Sequence, residues 1–183
     1  HNILPKDTIY QNVLGQIIFK ICNDFEGYKK VVPANYNSPG QVVISGHNEA
    51  VEWAMDIAKR KGARMCVKLN VSGAFHSPLM QPAREKLSEV INASSISDAI
   101  YPVYTNTNAT PVIKSAEIKS SLIQQLEKPV LWSKTIEAIE KSGVNNFYEA
   151  GPGNVLKGLN KRINRKLPTI SYGTFKELEN INV

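Results

Sequence analysis

Histidine is the first side chain to test for chemistry, because its imidazole takes and gives a proton near neutral pH. The sequence holds three: His1, His47 and His76. His1 opens the chain, and His47 follows Gly46 at the entrance of a predicted helix, a surface position. His76 stands differently. It closes the run Val71-Ser-Gly-Ala-Phe75-His76, a strand passing into a loop just ahead of a predicted helix. The positive end of that helix dipole disfavours an imidazolium and so helps keep the ring neutral, as a general base requires.

A base needs a nucleophile to act on. The Gly-x-Ser-x-Gly elbow that exposes a serine between strand and helix does not occur. Ser45 and Ser72 stand in Ile44-Ser45-Gly46 and Val71-Ser72-Gly73, without the flanking pair of glycines. Cys22 falls on the apolar period of one helix and Cys66 inside a strand, so both read as buried structural thiols in a reducing compartment. No zinc-ligand spacing, acidic cluster or Walker loop is present, and neither a metal nor a resident cofactor is expected. Gly151-Pro-Gly153 ahead of a helix could present amides to an anion, although the same residues also make an ordinary turn.

These residues need elements to position them. Asp7-Thr8 is a helix start, followed by Ile9, Val13, Ile17 and Ile21 at every fourth position, with Leu14, Ile18 and Phe25 widening the stripe. Tyr28 to Val32 and Gln41 to Ser45 predict strands, joined through the turn-rich Asn35-Tyr-Asn37-Ser-Pro-Gly40. Glu49 to Lys61 predicts an amphipathic helix closed by Gly62, and Met65, Val67, Leu69 and Val71 alternate as in a strand. Helix, strand, strand, helix, strand is a ferredoxin-like βαββαβ unit whose first strand is absent or reduced to Asn2-Ile3-Leu4. That strand pairs centrally, and the chain lacks an initiator Met, so the expectation is a truncation at the N-terminus.

Beyond Val71 a helix follows Pro78, with Ala83, Leu87, Val90 and Ile91 on one face; Pro82 fits only if it begins near Leu79 or later. Tyr101 to Tyr104 predicts a strand. One helix carries Ile118, Leu122 and Leu126, and another carries Trp132, Ile136 and Ile139 up to Gly143. A short strand over Asn146 to Glu149, a basic helix over Asn154 to Ile163 and a strand over Pro168 to Tyr172 complete the order. Alternating strands and helices predict part of a parallel α/β sheet covered by helices.

Composition bounds the function classes. The 183 residues are 42% hydrophobic and 21% charged with 10 Pro and 11 Gly, the balance of a folded chain and not of a disordered or collagenous one. No apolar run approaches the ~20 residues that cross a bilayer. His1 to Lys6 has no signal-peptide h-region, so a protein of the cytoplasm, or of a biosynthetic organelle if eukaryotic, without a membrane partner is expected. Lys and Arg number 22 against 16 Asp and Glu, a net charge of +6. The densest stretch, Lys157 to Lys166, reads as a solvated helix face that also favours acidic partners.

Four stretches together resemble the malonyl-CoA:acyl-carrier-protein transacylases. They are Asn35-Tyr-Asn-Ser-Pro-Gly-Gln-Val-Val-Ile-Ser-Gly46, Gly73-Ala-Phe-His-Ser-Pro-Leu-Met80, Gln125-Leu-Glu-Lys-Pro-Val-Leu-Trp132 and Glu149-Ala-Gly-Pro-Gly-Asn-Val-Leu156. Their order and separations match the C-terminal part of that family. The resemblance implies an α/β-hydrolase-like acyltransferase core with an inserted ferredoxin-like subdomain. Residues 1–70 would be most of that insert, lacking most of its first strand, and residues 71–183 the C-terminal part of the core.

The same resemblance implies roles. His76 matches the catalytic histidine, and Gln125 the residue whose backbone carbonyl orients it, as a carboxylate does in a Ser-His-Asp triad. Phe75 fits the malonyl-selective form of the motif, its ring crowding an α-methyl group. Asn35, Asn37 and Gln41 are expected at substrate or pantetheine contacts, though turn formation explains them equally. The reaction implied is ping-pong transfer of malonyl from malonyl-CoA to the phosphopantetheine thiol of acyl carrier protein, in fatty-acid biosynthesis. The family's nucleophilic serine, malonyl-binding arginine and oxyanion segment lie upstream of the matched part. That segment is accordingly an expected partner, and the isolated chain is expected to be inactive.

Three other readings stay open. A polyketide-synthase acyltransferase domain shares these motifs, and a non-catalytic fragment could dock an acidic carrier through Lys157 to Lys166. RNA binding fits the element order of the first 70 residues, but the three candidate strands offer only Tyr28 for stacking. No nucleic-acid partner is expected.

Overall fold

The four-residue apolar period near the N-terminus does build a helix. The computed structural model describes residues 13–179, and it opens on α1 (Val13–Asn23), which buries Ile21 and Cys22. The predicted start at Asp7-Thr8 and the contribution of Ile9 lie outside the described residues. Helix α2 (Asn48–Arg60) faces α1 with Ala50, Ala54 and Ala58, one small residue per turn. Their size lets the helix come close enough to bury all three against Ile21, Cys22 and Val31. Phe25 and Trp53 close this core edge to face, ring centroids 5.1 Å apart.

Between these helices lies an antiparallel hairpin, β1 (Val31–Ser38) and β2 (Gln41–Gly46). The sequence predicts a turn from Asn35 to Gly40, yet β1 continues through Ser38 and only Pro39-Gly40 turns. Tertiary pairing overrides turn propensity here. On its other side β1 meets Val130: Val130 N–H donates to Ala34 O and Tyr36 N–H to Val130 O, both at 2.8 Å. At Gly46, the last residue of β2, an added Cβ would lie 2.1 Å from the Lys30 carbonyl oxygen, so only glycine fits there.

The strand predicted over Met65 to Val71 does not form. Met65, Val67, Leu69 and Val71 are 81, 62, 54 and 62% exposed. Cys66 alone of this run packs on the α1–α2 core. The alternation is that of a strand, but no described backbone pairs with it, and an unpaired run is not a strand. The closing strand of the expected βαββαβ order is therefore absent among the described residues.

The remainder is mixed α/β. A single 3₁₀ turn (Pro78–Met80) leads into α3 (Gln81–Ala93), so Pro82 sits at its second position, where a missing N–H costs nothing. Strands β3 (Val103–Tyr104) and β4 (Pro111–Val112) pair antiparallel, and β4 lies outside the predicted elements. Helices α4 (Ser115–Gln124) and α5 (Trp132–Lys141) follow. Strand β5 (Phe147–Ala150), helix α6 (Val155–Ile163) and β6 (Thr169–Tyr172) form a parallel βαβ unit, before a last turn of helix, α7 (Phe175–Leu178). The described strands thus make three two-stranded sheets in place of one continuous parallel sheet. A second core cluster, Tyr36, Ala109 and Leu131, joins the hairpin to the rest.

Candidate active site

His76 has φ 58°, a left-handed backbone that a residue with a Cβ adopts only when its surroundings hold it there. The holding bonds are visible. Its N–H donates to Leu126 O at 3.0 Å, and ring Nδ1 lies 2.7 Å from Gln125 O. Next to it, fully buried Ser77 donates from Oγ to Ala74 O at 2.6 Å and accepts from the Leu79 N–H. Ser77 thereby caps the 3₁₀ turn while Pro78 supplies its first residue, the local code for starting a helix directly after the histidine.

Gln125 is the C-cap of α4, and the last carbonyls of a helix have no partner within it. One of those spare acceptors serves His76. A carbonyl oxygen can only accept, so the 2.7 Å contact puts the ring proton on Nδ1 and leaves the Nε2 lone pair available as a base. Sequence reasoning weighs only the helix that follows His76, at whose N-terminus a positive ring is disfavoured. The ring instead engages the C-terminus of a helix that arrives from far along the chain.

The other predicted residues distribute as follows. Phe75 is 45% exposed beside His76, its ring edge over Gly73, where an added Cβ would lie 3.5 Å from Cζ. Asn35 and Asn37 are half-buried on β1, on the face opposite buried Tyr36 and Ser38. Asn35 forms the bridge to Val130, five residues after Gln125, so the hairpin and the histidine share one supporting segment. Gln41 is exposed at the start of β2 and accepts from Arg162 of α6 at 3.2 Å. The structure thus joins His76 to Gln125 directly and ties the hairpin to the same segment through Val130 and Leu131. Tyr28, the aromatic an RNA-stacking sheet would need, lies before β1 and outside the strands.

Glu149 is missing from the sequence-based list. Its carboxylate, buried in β5, accepts from the N–H groups of Leu156 at 2.9 Å and Lys157 at 3.0 Å and from Ser171 Oγ at 3.0 Å. Burial pushes its pKa up, but the two amides and the hydroxyl outweigh that and hold it below 4.5. The amides at the start of α6, which Gly151-Pro-Gly153 could have offered to an external anion, are occupied by this internal one. The signal was present in the acid heading Glu149-Ala-Gly-Pro-Gly-Asn154, ahead of a helix whose Asn154 makes no cap bond.

Cys22 is a buried structural thiol, raised by burial to about 12, whereas Cys66 lies outside any strand and is only partly buried against the α1–α2 core. Among the described residues no group of three or more His, Cys, Asp or Glu could hold a metal ion, and no helix is long and apolar enough to cross a membrane. Lys157, Lys161, Arg162, Arg165 and Lys166 are all exposed on or just after α6.

Comparison with known proteins decides the family. Residues 20–167 match the family described as acyl transferase domain. The chain belongs to that family. Relatives within it include the malonyl CoA-acyl carrier protein transacylase of Bacillus subtilis, 47% identical over 146 residues, which cover 80% of this chain and 46% of that protein. The Staphylococcus aureus transacylase is 38% identical over 164 residues, 89% of this chain and 53% of that one. Among solved structures, the Coxiella burnetii transacylase superposes with a TM-score of 0.86 at 40% identity, covering 90% of this chain and 52% of that one. A malonyl-transacylase in complex with a holo acyl-carrier protein of a type II polyketide synthase gives the same TM-score at 38% identity, covering 90% and 53%. The acyl transferase chain described here spans about half the length of these relatives.

Proposed function

We propose that this chain supplies the histidine side of a malonyl-CoA:acyl-carrier-protein transacylase, the nucleophilic serine coming from a segment outside it. The observation that carries this reading is the 2.7 Å contact from His76 Nδ1 to Gln125 O, which fixes the tautomer and leaves Nε2 as the base. In the first half-reaction Nε2 takes the serine proton as Oγ attacks the thioester carbonyl. The carbon–sulfur bond then breaks, and the CoA thiolate receives that proton. In the second half the pantetheine thiol of the carrier gives its proton to Nε2 and attacks the malonyl ester, and the serine leaves with the proton. Neither half-reaction calls on a metal or a resident cofactor.

In this proposal residues 1–70 are the ferredoxin-like small subdomain and residues 71–183 the C-terminal part of the hydrolase-like core. The exposed alternation from Met65 to Val71 supports the division, because it has the side-chain pattern of a strand whose neighbour lies elsewhere. Phe75, with its half-exposed ring beside the base, would select malonyl over its α-methyl homologue. Asn35, Asn37 and Gln41 would contact the substrate or its pantetheine arm. The bond between Arg162 and Gln41 favours a role for α6 as well, since it sets the basic face beside the hairpin, where an acidic carrier protein would arrive.

Intact-mass analysis after incubation with malonyl-CoA tests the reading, using the chain with and without the upstream half of the Bacillus subtilis relative. A malonyl adduct only in the presence of that half, lost in His76→Ala, is the expected result. An adduct on the isolated chain would place the nucleophile here and overturn the proposal.

A further inference from the structure

The turn that follows α4 touches the histidine segment at three consecutive residues. Gln125 O meets the His76 ring, and Leu126 O accepts the His76 N–H. Glu127 Oε2 pairs with Arg84 Nε at 2.7 Å. Arg84 lies in the first turns of α3, the helix that begins just after His76, and both partners are about three-quarters buried. The first two bonds include His76 itself. The third does not, and it joins the element carrying the histidine to the turn carrying its two acceptors.

We infer that the Arg84–Glu127 ion pair is a positioning device, holding the Gln125 and Leu126 carbonyls against His76 so that its ring keeps the Nδ1–H tautomer. Two features favour this over an incidental surface pair. A guanidinium three-quarters withdrawn from water is screened less than an exposed one and keeps its partner in one place. His76 also occupies a strained left-handed backbone, which persists only where its surroundings over-determine it. The remaining fixtures of this segment each have a main-chain partner: Ser77 Oγ bonds to Ala74 O and the Leu79 N–H, and His76 meets the Gln125 and Leu126 carbonyls. Among the described residues the Arg84–Glu127 pair joins the two segments side chain to side chain. Arg84 and Glu127 touch no reacting atom and act through His76, so their role in transfer rests on the function proposed above.

The test labels the histidines of the 183-residue chain with nitrogen-15 and reads the His76 tautomer by long-range proton–nitrogen correlation, assigned against His76→Ala. Malonyl transfer is measured in parallel on the same chain completed with the upstream half of the Bacillus subtilis transacylase. Wild type is expected in the Nδ1–H form. Arg84→Met and Glu127→Gln should each shift a large fraction to the Nε2–H form. In the completed enzyme they should lower kcat by up to about a hundredfold at unchanged KM, the scale of a misplaced catalytic group. Arg84→Lys keeps the charge without the fork and should fall between. The swap Arg84→Glu with Glu127→Arg should restore both readouts, which a loss of general stability would not. Single variants with wild-type tautomer, or a swap no better than either single change, would overturn the inference. If the completed wild type transfers no malonyl while the tautomers respond as expected, the functional proposal falls and the positioning role stands.

Discussion

Replacing Glu149 by Gln changes one atom type in a site where three donors converge on one carboxylate. The amides of Leu156 and Lys157 and the Ser171 hydroxyl all donate to it, at 2.9 to 3.0 Å. A glutamine offers one acceptor oxygen and turns an NH₂ group toward whichever donor remains. Hydrogen bonds to a charged group contribute about 1.5–3 kcal/mol each, and a buried donor left without a partner costs about 1–3 kcal/mol. Losing one amide bond while the carbonyl retains the other puts the expected destabilisation at roughly 2–3 kcal/mol. For a chain of this size that lowers the melting temperature by about 5–10 °C, read by circular dichroism. The pH dependence gives a second, independent check. The folded-state pKa of Glu149 lies below its ordinary value of 4.5, so its contribution is present in full above that value and is lost as the pH falls through the folded pKa. The gap between wild type and Glu149→Gln should therefore be full at neutral pH and close in acid. A gap under 0.5 kcal/mol, the ordinary scatter of about ±0.5 kcal/mol for surface substitutions, would refute the capping role. So would a gap that persists unchanged in acid.

Other expectations follow from single residues. Phe75→Ser in the completed enzyme should raise methylmalonyl-CoA use relative to malonyl-CoA by roughly tenfold in a competition assay, the scale of a pocket changed by one methyl group; an unchanged ratio removes Phe75 from selectivity. Lys161→Glu should weaken binding of an acidic carrier protein severalfold, with the wild-type affinity falling as salt rises. Salt-independent binding would place the docking surface away from α6. Cys22, buried and held up near 12, should resist alkylation at neutral pH in the folded chain and react once urea exposes it. Fast modification under native conditions would contradict the α1–α2 packing.

What the sequence makes legible is governed by which groups carry side-chain identity. Helix α2 shows in the spacing of its alanines and α5 in Ile136 and Ile139, because a buried helical face must repeat near 3.6 residues. His76 and Gln125 are legible as a pair through motif resemblance, but the bond between them uses a main-chain carbonyl, which every residue has and no sequence marks. Tyr36 to Ser38 read as turn residues, since the parallel contact with Val130 that keeps them extended comes from nearly a hundred positions away. The alternation of Met65 to Val71 predicts a strand correctly in side-chain pattern and wrongly in outcome, because pairing is a property of two segments. Glu149 and the Arg84–Glu127 pair escape for a related reason: isolated charges ordinarily belong to solvent, and only the fold shows them withdrawn.

The stretch 125–131 explains why three of the four separated motifs share one support. Gln125 and Leu126 hold the histidine, and Glu127 ties down the helix behind it. Val130 adds a parallel bridge to β1 at Asn35, and Leu131 donates its N–H to Asn106 O while packing with Tyr36 and Ala109. Pro129 breaks the stretch between its two tasks, supplying no N–H and favouring an extended residue before it, so the turn after α4 passes directly into the bridge. The hairpin Asn35–Gly46, the histidine run Gly73–Met80 and the 125–132 run are thus three sides of one hydrogen-bonded support. The geometry of a single imidazole is set by a core that reaches as far as Leu131. If His76 is the base proposed above, a substitution that repacks that core, such as Leu131→Ala, should lower transfer by displacing the Gln125 carbonyl without touching substrate.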